Sequence, residues 1–540
     1  MRAIVSISAV LVMLLGVTPG VSAEDSTAGG TAASPLAGEI ASQLNDASQR
    51  LQDFYQARGY RPAWQDGQTV AAFAAALHTL ERDGLNPQDY RPDHLNSRHR
   101  ELEDADVEAR ARFELAASRV LLTALSHLQR GKVDPHAIDS DWDVPIGDPD
   151  LDLDAVSQAV DGQRFEQAFA RVRPAHAPYE RLRSALARYR HIERLGGWPT
   201  LPERQAPLRR GDVHADVALL RERLAVIGEL EVMVAGLAAF PDIDVAAPNP
   251  QRFDATLEAA VERFQQRHLL QVDGVVGPAT RAALNVPVAR RIDQIRLNLE
   301  RARWLLHDLP EAFVLVDIAG YRVSYFRPNG EIWRSRIVVG RPYRRTPSLR
   351  SEITHMTVNP SWTIPPTILR EDVLPQVRRN LGYLWRERIQ VLSPSGQPLD
   401  PWQVDWENPG NIVLRQAPGP HNALGRLAIR FPNDHLVYLH DTPAQGLFAR
   451  EQRAFSSGCI RVQGILELAQ LLYDDTGSDR DVRALIASGE TRNVPLARHM
   501  PVILHYWTVH PGEDGMLAFR PDIYDRDDAL LRALDRPLAL

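Results

Sequence analysis

Apolar positions along the chain recur at two periods, and the change between them divides the sequence. From about residue 38 to 200 the spacing is three to four. Phe113, Leu115, Val120, Leu121, Leu125 and Leu128 stand among Arg and Glu, which predicts helices with one buried stripe. Phe54, Tyr55 and Trp64 are expected to fill the core of this region, and 38–200 reads as a helical scaffold domain. Residues 205–288 repeat the helical spacing in shorter pieces, with Val213, Val217, Leu220 and Leu224 in one helix and Leu257, Val261 and Phe264 in the next. A long loop, about 231–250, lies between them. Residues 289–310 predict an amphipathic connector helix. From 313 the period becomes two: Phe313, Leu315 and Asp317 alternate with Val314, Val316 and Ile318, and Ala319-Gly320 turns the chain into Tyr321–Tyr325 as a hairpin.

Further strands are predicted at 336–340, 354–358, 412–415, 426–431 and 435–440, so residues 311–495 are expected to form a mostly β, sandwich-like domain. Between about 365 and 405 the alternation stops. Residues 368–376 and 378–388 read as helical, carry the bulky Tyr383 and Trp385, and form an insertion expected to act as a lid. Residues 496–540 are expected to pack on the scaffold or the β domain. The fold class is a multidomain α+β protein, as 540 residues require more than one core.

The N-terminus reads as an export signal, residues 1–23. Met1-Arg2 supplies the charge, Ala3 to Val17 the apolar run, and Val21-Ser22-Ala23 a small-residue cleavage site before Glu24. The run is shorter than the roughly 20 residues of a comfortable membrane span. Cleavage predicts a periplasmic protein with a flexible linker over 24–37, and retention of the segment would leave the protein at the inner membrane. A net charge of −7 argues for no class of partner, and no basic, aromatic-laced segment points to nucleic acid.

Cysteine occurs once, at Cys459 in Ser456-Ser457-Gly458-Cys459-Ile460-Arg461-Val462, which excludes an intrachain disulfide and four-cysteine metal sites. A free thiol is commonly a buried structural residue. An exported chain without disulfides that keeps one thiol has a reason to use it, since free thiols oxidise outside the cytoplasm. Upstream, His440 ends the apolar run of 435–440 and is followed by Asp441-Thr442-Pro443.

Two resemblances attach to these residues. Asp273-Gly274-Val275-Val276-Gly277-Pro278-Ala279-Thr280, after a helix with Phe264-Gln265 and Leu269, resembles the D-G-x-x-G-x-x-T loop of the small helical peptidoglycan-binding module. The same motif also serves as a structural turn. His440 and the Ser456–Val462 segment resemble the signature of the L,D-transpeptidase catalytic domain (YkuD). There a histidine precedes an S/T-x-G-C-hydrophobic-R/N element by somewhat under twenty residues, and here the separation is 19. Val339-Gly340-Arg341-Pro342, Asn359-Pro360-Ser361-Trp362 and Pro418-Gly419-Pro420-His421 agree with it, and the whole layout resembles the large YcbB-like subfamily. Ser457 is a departure, because many members carry a second histidine there.

The resemblance implies Cys459 as nucleophile and His440 as proton donor and acceptor, with the backbone carbonyl of Asp441 orienting the imidazole. The Gly458 and Cys459 amides would form the oxyanion hole, and the helix beginning near Ile465 is expected to favour a thiolate through its dipole. The Asp441 side chain is a weaker candidate, since successive strand residues face opposite ways. His355 and His421 are the next candidates for the base. Ser456, Ser457, Arg461, Asn359, Trp362, Tyr383 and Trp385 are the expected substrate contacts. Arg461 would hold a substrate carboxylate or support the loop, and Tyr383 and Trp385 would wall the stem or fill the insertion's own core. No metal or cofactor is implied. The implied reaction joins two peptidoglycan stem peptides, donor and acceptor, by a 3→3 link between diaminopimelates through a thioester, with D-alanine released. Carbapenems are the implied inhibitors, and the scaffold is an expected surface for other wall-synthesis proteins. The rivals are a wall cysteine peptidase or carboxypeptidase and a non-catalytic wall-binding scaffold. In the peptidase order cysteine precedes histidine, the reverse of this chain, and a silent scaffold would tolerate a broken motif where this one is complete.

Overall fold

The computed structural model describes residues 34–102, 104–145, 151–230 and 249–539. The expected signal peptide, most of the linker and nearly all of the 231–250 loop lie outside the described residues. The described part of 38–200 is helical apart from a two-residue strand, Trp142–Asp143. Its longest elements, Val107–Arg130 and Ala177–Arg194, start where Asp106 caps the first by accepting from the Ala109 amide and where a proline opens the second. Phe54, Tyr55 and Trp64 are buried in its core. Residues 205–288 form a separate small core around Leu220, Leu257 and Phe264. The helix there begins at Ala215 because His214 caps it, leaving Val213 outside and exposed. Gln265 explains why its own motif and the Asp-Gly loop travel together. Buried in the second helix, it accepts from the Asp273 and Gly274 amides and donates to the Val275 carbonyl at 2.9 Å.

The expected amphipathic connector is instead a central buried helix, Val288–Leu305, with Arg291, Asn298, Glu300, Arg301 and Arg303 among its buried residues. These polar groups read as a solvent face in sequence, yet each meets a partner from a distant segment. Glu300 and Arg303 pair with no exposure, Glu300 accepts from the Val133 amide at 2.7 Å, and Arg303 donates to the Asp83 carbonyl at 2.8 Å. Arg301 reaches Asp527 at 2.6 Å, and Asn298 reaches Thr508 at 2.9 Å. One helix therefore joins the scaffold to the C-terminal segment.

Fifteen strands are formed by the described residues. They are β1 (Trp142–Asp143), β2 (Phe313–Asp317), β3 (Arg322–Phe326), β4 (Ile332–Gly340), β5 (Ser348–Val358), β6 (Trp362–Thr363), β7 (Ile389–Leu392), β8 (Val413–Gln416), β9 (Leu427–Arg430), β10 (Leu439–His440), β11 (Ala454–Ser456), β12 (Ile460–Val462), β13 (Arg492–His505), β14 (Val509–Pro511) and β15 (Leu517–Phe519). The main sheet runs β1-β5-β13-β2-β3-β4-β12-β10-β9, with β11 on β4, and β9 also pairs with β5. That last pairing closes the sheet on itself, so the two layers expected of a sandwich are continuous. Its interior is filled by Val316, Tyr325, Met356, Leu439 and Ile460, all buried.

Two expected boundaries move. Residue 495 falls inside β13, which lies between β5 and β2 in the middle of the sheet. The C-terminal segment is thus part of the β domain before β14, β15 and the Asp527–Leu534 helix cross to the scaffold core. The insertion is wider than 365–405, because β6, β7 and β8 form their own three-stranded sheet around Ile364, Val373, Leu384 and Leu414. Only Leu439 and His440 of the predicted 435–440 strand are paired, since Leu436 takes a positive φ of 55°.

The buried pair on the central helix gives a stability test. Glu300→Ala leaves Arg303 charged and buried without its carboxylate, which costs about 3–5 kcal/mol. Urea titration followed by scaffold tryptophan fluorescence should show that loss, and a shift below about 1 kcal/mol would show that the pair does not hold the helix in place.

Candidate active site

The site is set by strand register. β10 runs parallel to β12 with Leu439 beside Ile460 and His440 beside Arg461, and the Ile460 amide donates to the Tyr438 carbonyl at 3.0 Å. Alternation along each strand then sends Leu439 and Ile460 into the core and Tyr438, His440, Cys459 and Arg461 to the opposite face. β9 and β5 extend that face, since His440 lies beside Ala428, and His355 beside Arg430.

Within this cluster His440 is buried, and its Nδ1 lies 2.5 Å from the Asp441 carbonyl oxygen. The Asp441 carboxylate points elsewhere and accepts from the Arg426 amide at 3.0 Å. Tyr438 is a residue that sequence reasoning missed. Its side chain hydrogen-bonds Cys459, its ring lies 5.7 Å from that of His440, and Arg430 stacks over it at 3.7 Å. The available signal was its position two residues before His440 in an alternating run. Burial pushes the Cys459 thiol up, opposed by the Tyr438 hydrogen bonds and by Arg430 and Arg461. Burial, then Arg461, pushes His440 down to about 3, against the pull of the Asp441 carbonyl. Both groups are therefore neutral at pH 7. The resting pair is thiol and imidazole rather than an ion pair. Arg461 keeps its Nε buried with no partner.

The catalytic loop is braced from inside and outside. Ser456 Oγ donates to the Cys459 carbonyl at 2.6 Å and accepts from the Gly458 amide at 3.2 Å. Gly458, at a φ of 113°, adopts a backbone that side chains rarely enter. Because its N–H is already used inside the loop, the expected oxyanion role of Gly458 does not hold in this arrangement, and the Cys459 amide is left of that pair. Thr346 Oγ1 donates to the Gly458 carbonyl at 2.8 Å, and the Tyr524 hydroxyl donates to the Gly340 carbonyl at 2.8 Å. A Cβ on Gly340 would lie 2.1 Å from the Arg344 carbonyl, which accounts for the glycine in Val339-Gly340-Arg341-Pro342. The expected helix dipole is displaced, because β12 and Gly464 separate Cys459 from the Ile465–Thr476 helix.

Other expected contacts are placed differently. The Asn359 amide donates to the Ile486 and Glu490 carbonyls at 2.9 and 3.3 Å, so it ties the end of β5 to the Val482–Ala487 helix and the turn after it instead of facing a ligand. Trp362 is in β6 and packs with Tyr383 against the insertion's own core, while the exposed Trp385 ring lies 5.9 Å from Trp402. The insertion reaches the loop through other residues. Arg344 donates to Ser457 Oγ at 2.9 Å and to Glu371 at 2.8 Å, and it pairs with Asp372. Glu371 and Asp372 lie on a π-helical turn, Leu369–Val373, a geometry common at functional sites. Ser457, where the resemblance led to an expected histidine in many members, thus accepts from the arginine that reaches the insertion. His355 shares the Cys459 face at the far side of Arg430, and the downstream His499 and His505 are in β13 of the sheet.

Three family profiles match parts of the chain. The profile of the L,D-transpeptidase catalytic domain (YkuD) matches residues 311–488, that of a "Putative peptidoglycan binding domain" matches 213–284, and that of a scaffold domain matches 49–186. A protein of Haemophilus influenzae named "Putative L,D-transpeptidase" is 32% identical over 286 residues, 52% of this chain and 56% of that relative. The chain thus aligns with about half the length of that curated relative. Two solved structures each cover 56% of the chain and 100% of their own. They are a fused Zn-dependent amidase/peptidase/peptidoglycan-binding domain-containing protein of Clostridium acetobutylicum (11% identity, TM-score 0.15) and an L,D-transpeptidase of Xylanimonas cellulosilytica (14%, 0.16). At those scores neither carries an argument. The sequence matches do: residues 311–488 carry the L,D-transpeptidase catalytic domain (YkuD), and residues 213–284 carry a peptidoglycan-binding domain.

Proposed function

We propose that the chain is a cysteine-dependent L,D-transpeptidase that forms 3→3 crosslinks between peptidoglycan stems outside the cytoplasm. The supporting observation is the single face that carries Cys459, Tyr438, Arg461 and a His440 whose Nδ1 is held by the Asp441 carbonyl. With Nδ1–H donating to that carbonyl, the Nε2 lone pair is left to accept a proton. The thiol proton passes to Nε2 as sulfur attacks the diaminopimelate carbonyl of the donor stem. The Cys459 amide donates to the oxyanion. His440 returns the proton to the departing D-alanine amine, leaving a thioester. The side-chain amine of an acceptor diaminopimelate then attacks, gives its proton to His440 and expels the sulfur. Arg430 and Arg461 stabilise the transient thiolate. Periplasmic location and acylation by carbapenems follow from the same reading. Among the described residues no helix is long and apolar enough to cross a membrane.

Purified tetrapeptide stems incubated with the protein should give a crosslinked dimer and free D-alanine by mass spectrometry. Cys459→Ala should abolish both, together with the carbapenem adduct, and D-alanine release by that variant would refute the assignment. His440→Ala should slow acylation at pH 7 by about 100-fold or more, with partial recovery at alkaline pH where the thiolate forms unaided.

The neutral resting pair predicts an unusual pH profile. With the imidazole titrating near 3, His440 stays unprotonated down to well below its ordinary range, so acidification does not remove the base. Carbapenem acylation measured in single turnover should be flat from about pH 5 to 8. An acid limb centred near the free-histidine value of about 6.5 would contradict the pairing.

Arg344 gives the test of the lid. Arg344→Ala severs Glu371 and Asp372 from Ser457, a loss of about 1.4 kcal/mol in stem capture, or tenfold. The expected result is a higher KM for tetrapeptide transfer with carbapenem acylation changed less than about twofold, and partial rescue by Arg344→Lys, which keeps the charge without the fork. Equal losses for both ligands would mean that the guanidinium holds the catalytic loop itself.

A further inference from the structure

A cleft of about 680 Å³ opens between residues 266–272 of the peptidoglycan-binding domain and the β3, β4 and 449–453 segments of the catalytic domain. Arg322, Arg334, Arg336, Arg450 and Arg453 line it, and Glu451 is the one carboxylate among its lining residues. Among the described residues no carboxylate comes within 4 Å of Arg322, Arg336, Arg450 or Arg453, and Arg334 has Glu513 at 3.7 Å. The other two lining arginines are already matched, Arg267 by Glu229 and Asp514 and Arg520 by Asp317.

Two further observations point to a ligand. Tyr321, 1% exposed, is one of the lining residues, and its buried hydroxyl has no hydrogen-bond partner. Over its ring, at 5.1 Å, stands the guanidinium of Arg453, whose Nε is also buried and unpartnered. Burial and the nearness of Arg336 both push Arg453 below the usual arginine range. Like charges held together and partly desolvated oppose folding unless something anionic relieves them.

We propose that this cleft is a second binding site, one that takes the carboxylates of a peptidoglycan stem peptide lying between the two domains. The proposal rests on the reading that the chain acts on the wall. A cavity of this size takes several peptide residues, where a free phosphate would leave most of it empty. Leu269, Leu270 and the Tyr321 ring supply an apolar wall for such a peptide. β4 links the cleft to the chemistry. Arg336 lies on the strand four residues before Gly340, about 13 Å at roughly 3.3 Å per residue, and Gly340 abuts the catalytic loop. A stem anchored in the cleft is within one peptide length of that loop.

The test uses the full chain and isolated peptidoglycan sacculi in a sedimentation assay, at low and at 0.3 M salt (roughly three times a 0.1 M reference). Arg336→Glu/Arg450→Glu reverses two exposed arginines of the cleft, and Arg98→Glu/Arg112→Glu makes the same charge change on the exposed scaffold surface. Retention of the cleft variant should fall about tenfold, with the scaffold variant within about twofold and the carbapenem adduct at Cys459 intact as a check on folding. Amidating the stem carboxylates of the sacculi should remove the same share of wild-type retention, whereas inorganic phosphate at matched ionic strength should not compete. Equal retention by the two variants, or full retention on amidated sacculi, overturns the proposal, and phosphate competition at matched ionic strength would replace the stem with a simple anion. Failure of the catalytic reading is distinguishable. A chain retained through these arginines that never releases D-alanine keeps the cleft and loses the reaction, and a chain that crosslinks stems with cleft-independent retention does the reverse.

Discussion

Everything at the catalytic face depends on a very short pairing, two residues of β10 laid parallel to β12. Register in a sheet is binary with respect to face, so a slip of one residue would turn His440 into the core and Leu439 out of it. The pairing is fixed by what lies on the other side. Leu439, Ile460 and Ile429 are fully buried, and moving them to the surface would forfeit several kcal/mol of apolar burial at about 25 cal/mol per Å². The interior of the closed sheet thus aligns the histidine with the cysteine strand without any direct bond between the two side chains. Chemistry is placed by packing.

The same arrangement explains the electrostatics. A thiolate–imidazolium pair needs solvent or counter-charge, and this face offers a desolvated imidazole beside two arginines. Arg430 and Arg461 disfavour a protonated His440 and favour an ionised Cys459, while burial disfavours ionisation of either. The balance leaves a neutral pair at rest, and in the proposed reaction its charge separation would be stabilised only as the step proceeds, which is where stabilisation accelerates a step. A free thiol outside the cytoplasm is also less prone to oxidation as a thiol than as a thiolate.

Much of this was legible in sequence, and what was not has physical reasons. Period-two alternation located β2, β3, β5 and β9 because one face of each packs a core. The Cys459 and His440 spacing was readable because both positions sit in local motifs. The Val288–Leu305 helix was misjudged because its charged residues resemble a solvent face, and only partners such as Val133, Asp83 and Asp527 reveal burial. Strand β13 straddles the boundary expected at 495, because its neighbours are strands more than a hundred residues upstream, a pairing no local pattern reveals. Asn359 looked like a substrate contact from its motif, yet its amide is consumed by backbone carbonyls. Arg344 and Tyr438 carry no motif, and their importance appears only where the insertion and β10 meet the loop.

The loop that carries Cys459 is held by groups from parts of the chain that share no local sequence. Ser456 bonds within the loop, Thr346 follows β4, Tyr524 comes from the C-terminal segment, and Arg344 links it to the insertion. Such convergence is what keeps Gly458 in its positive-φ conformation and the thiol on its face. The braces differ in kind. Thr346, in the connection between β4 and β5, and Tyr524, in a turn before the Asp527–Leu534 helix, are buried and bond backbone carbonyls, so they set the loop's position from inside. Arg344 is tethered to carboxylates on an irregular turn of an independently cored insertion, so it joins the loop to a part of the chain that packs by itself. The insertion has its own core, and a single guanidinium shared between it and Ser457 joins that core to the loop.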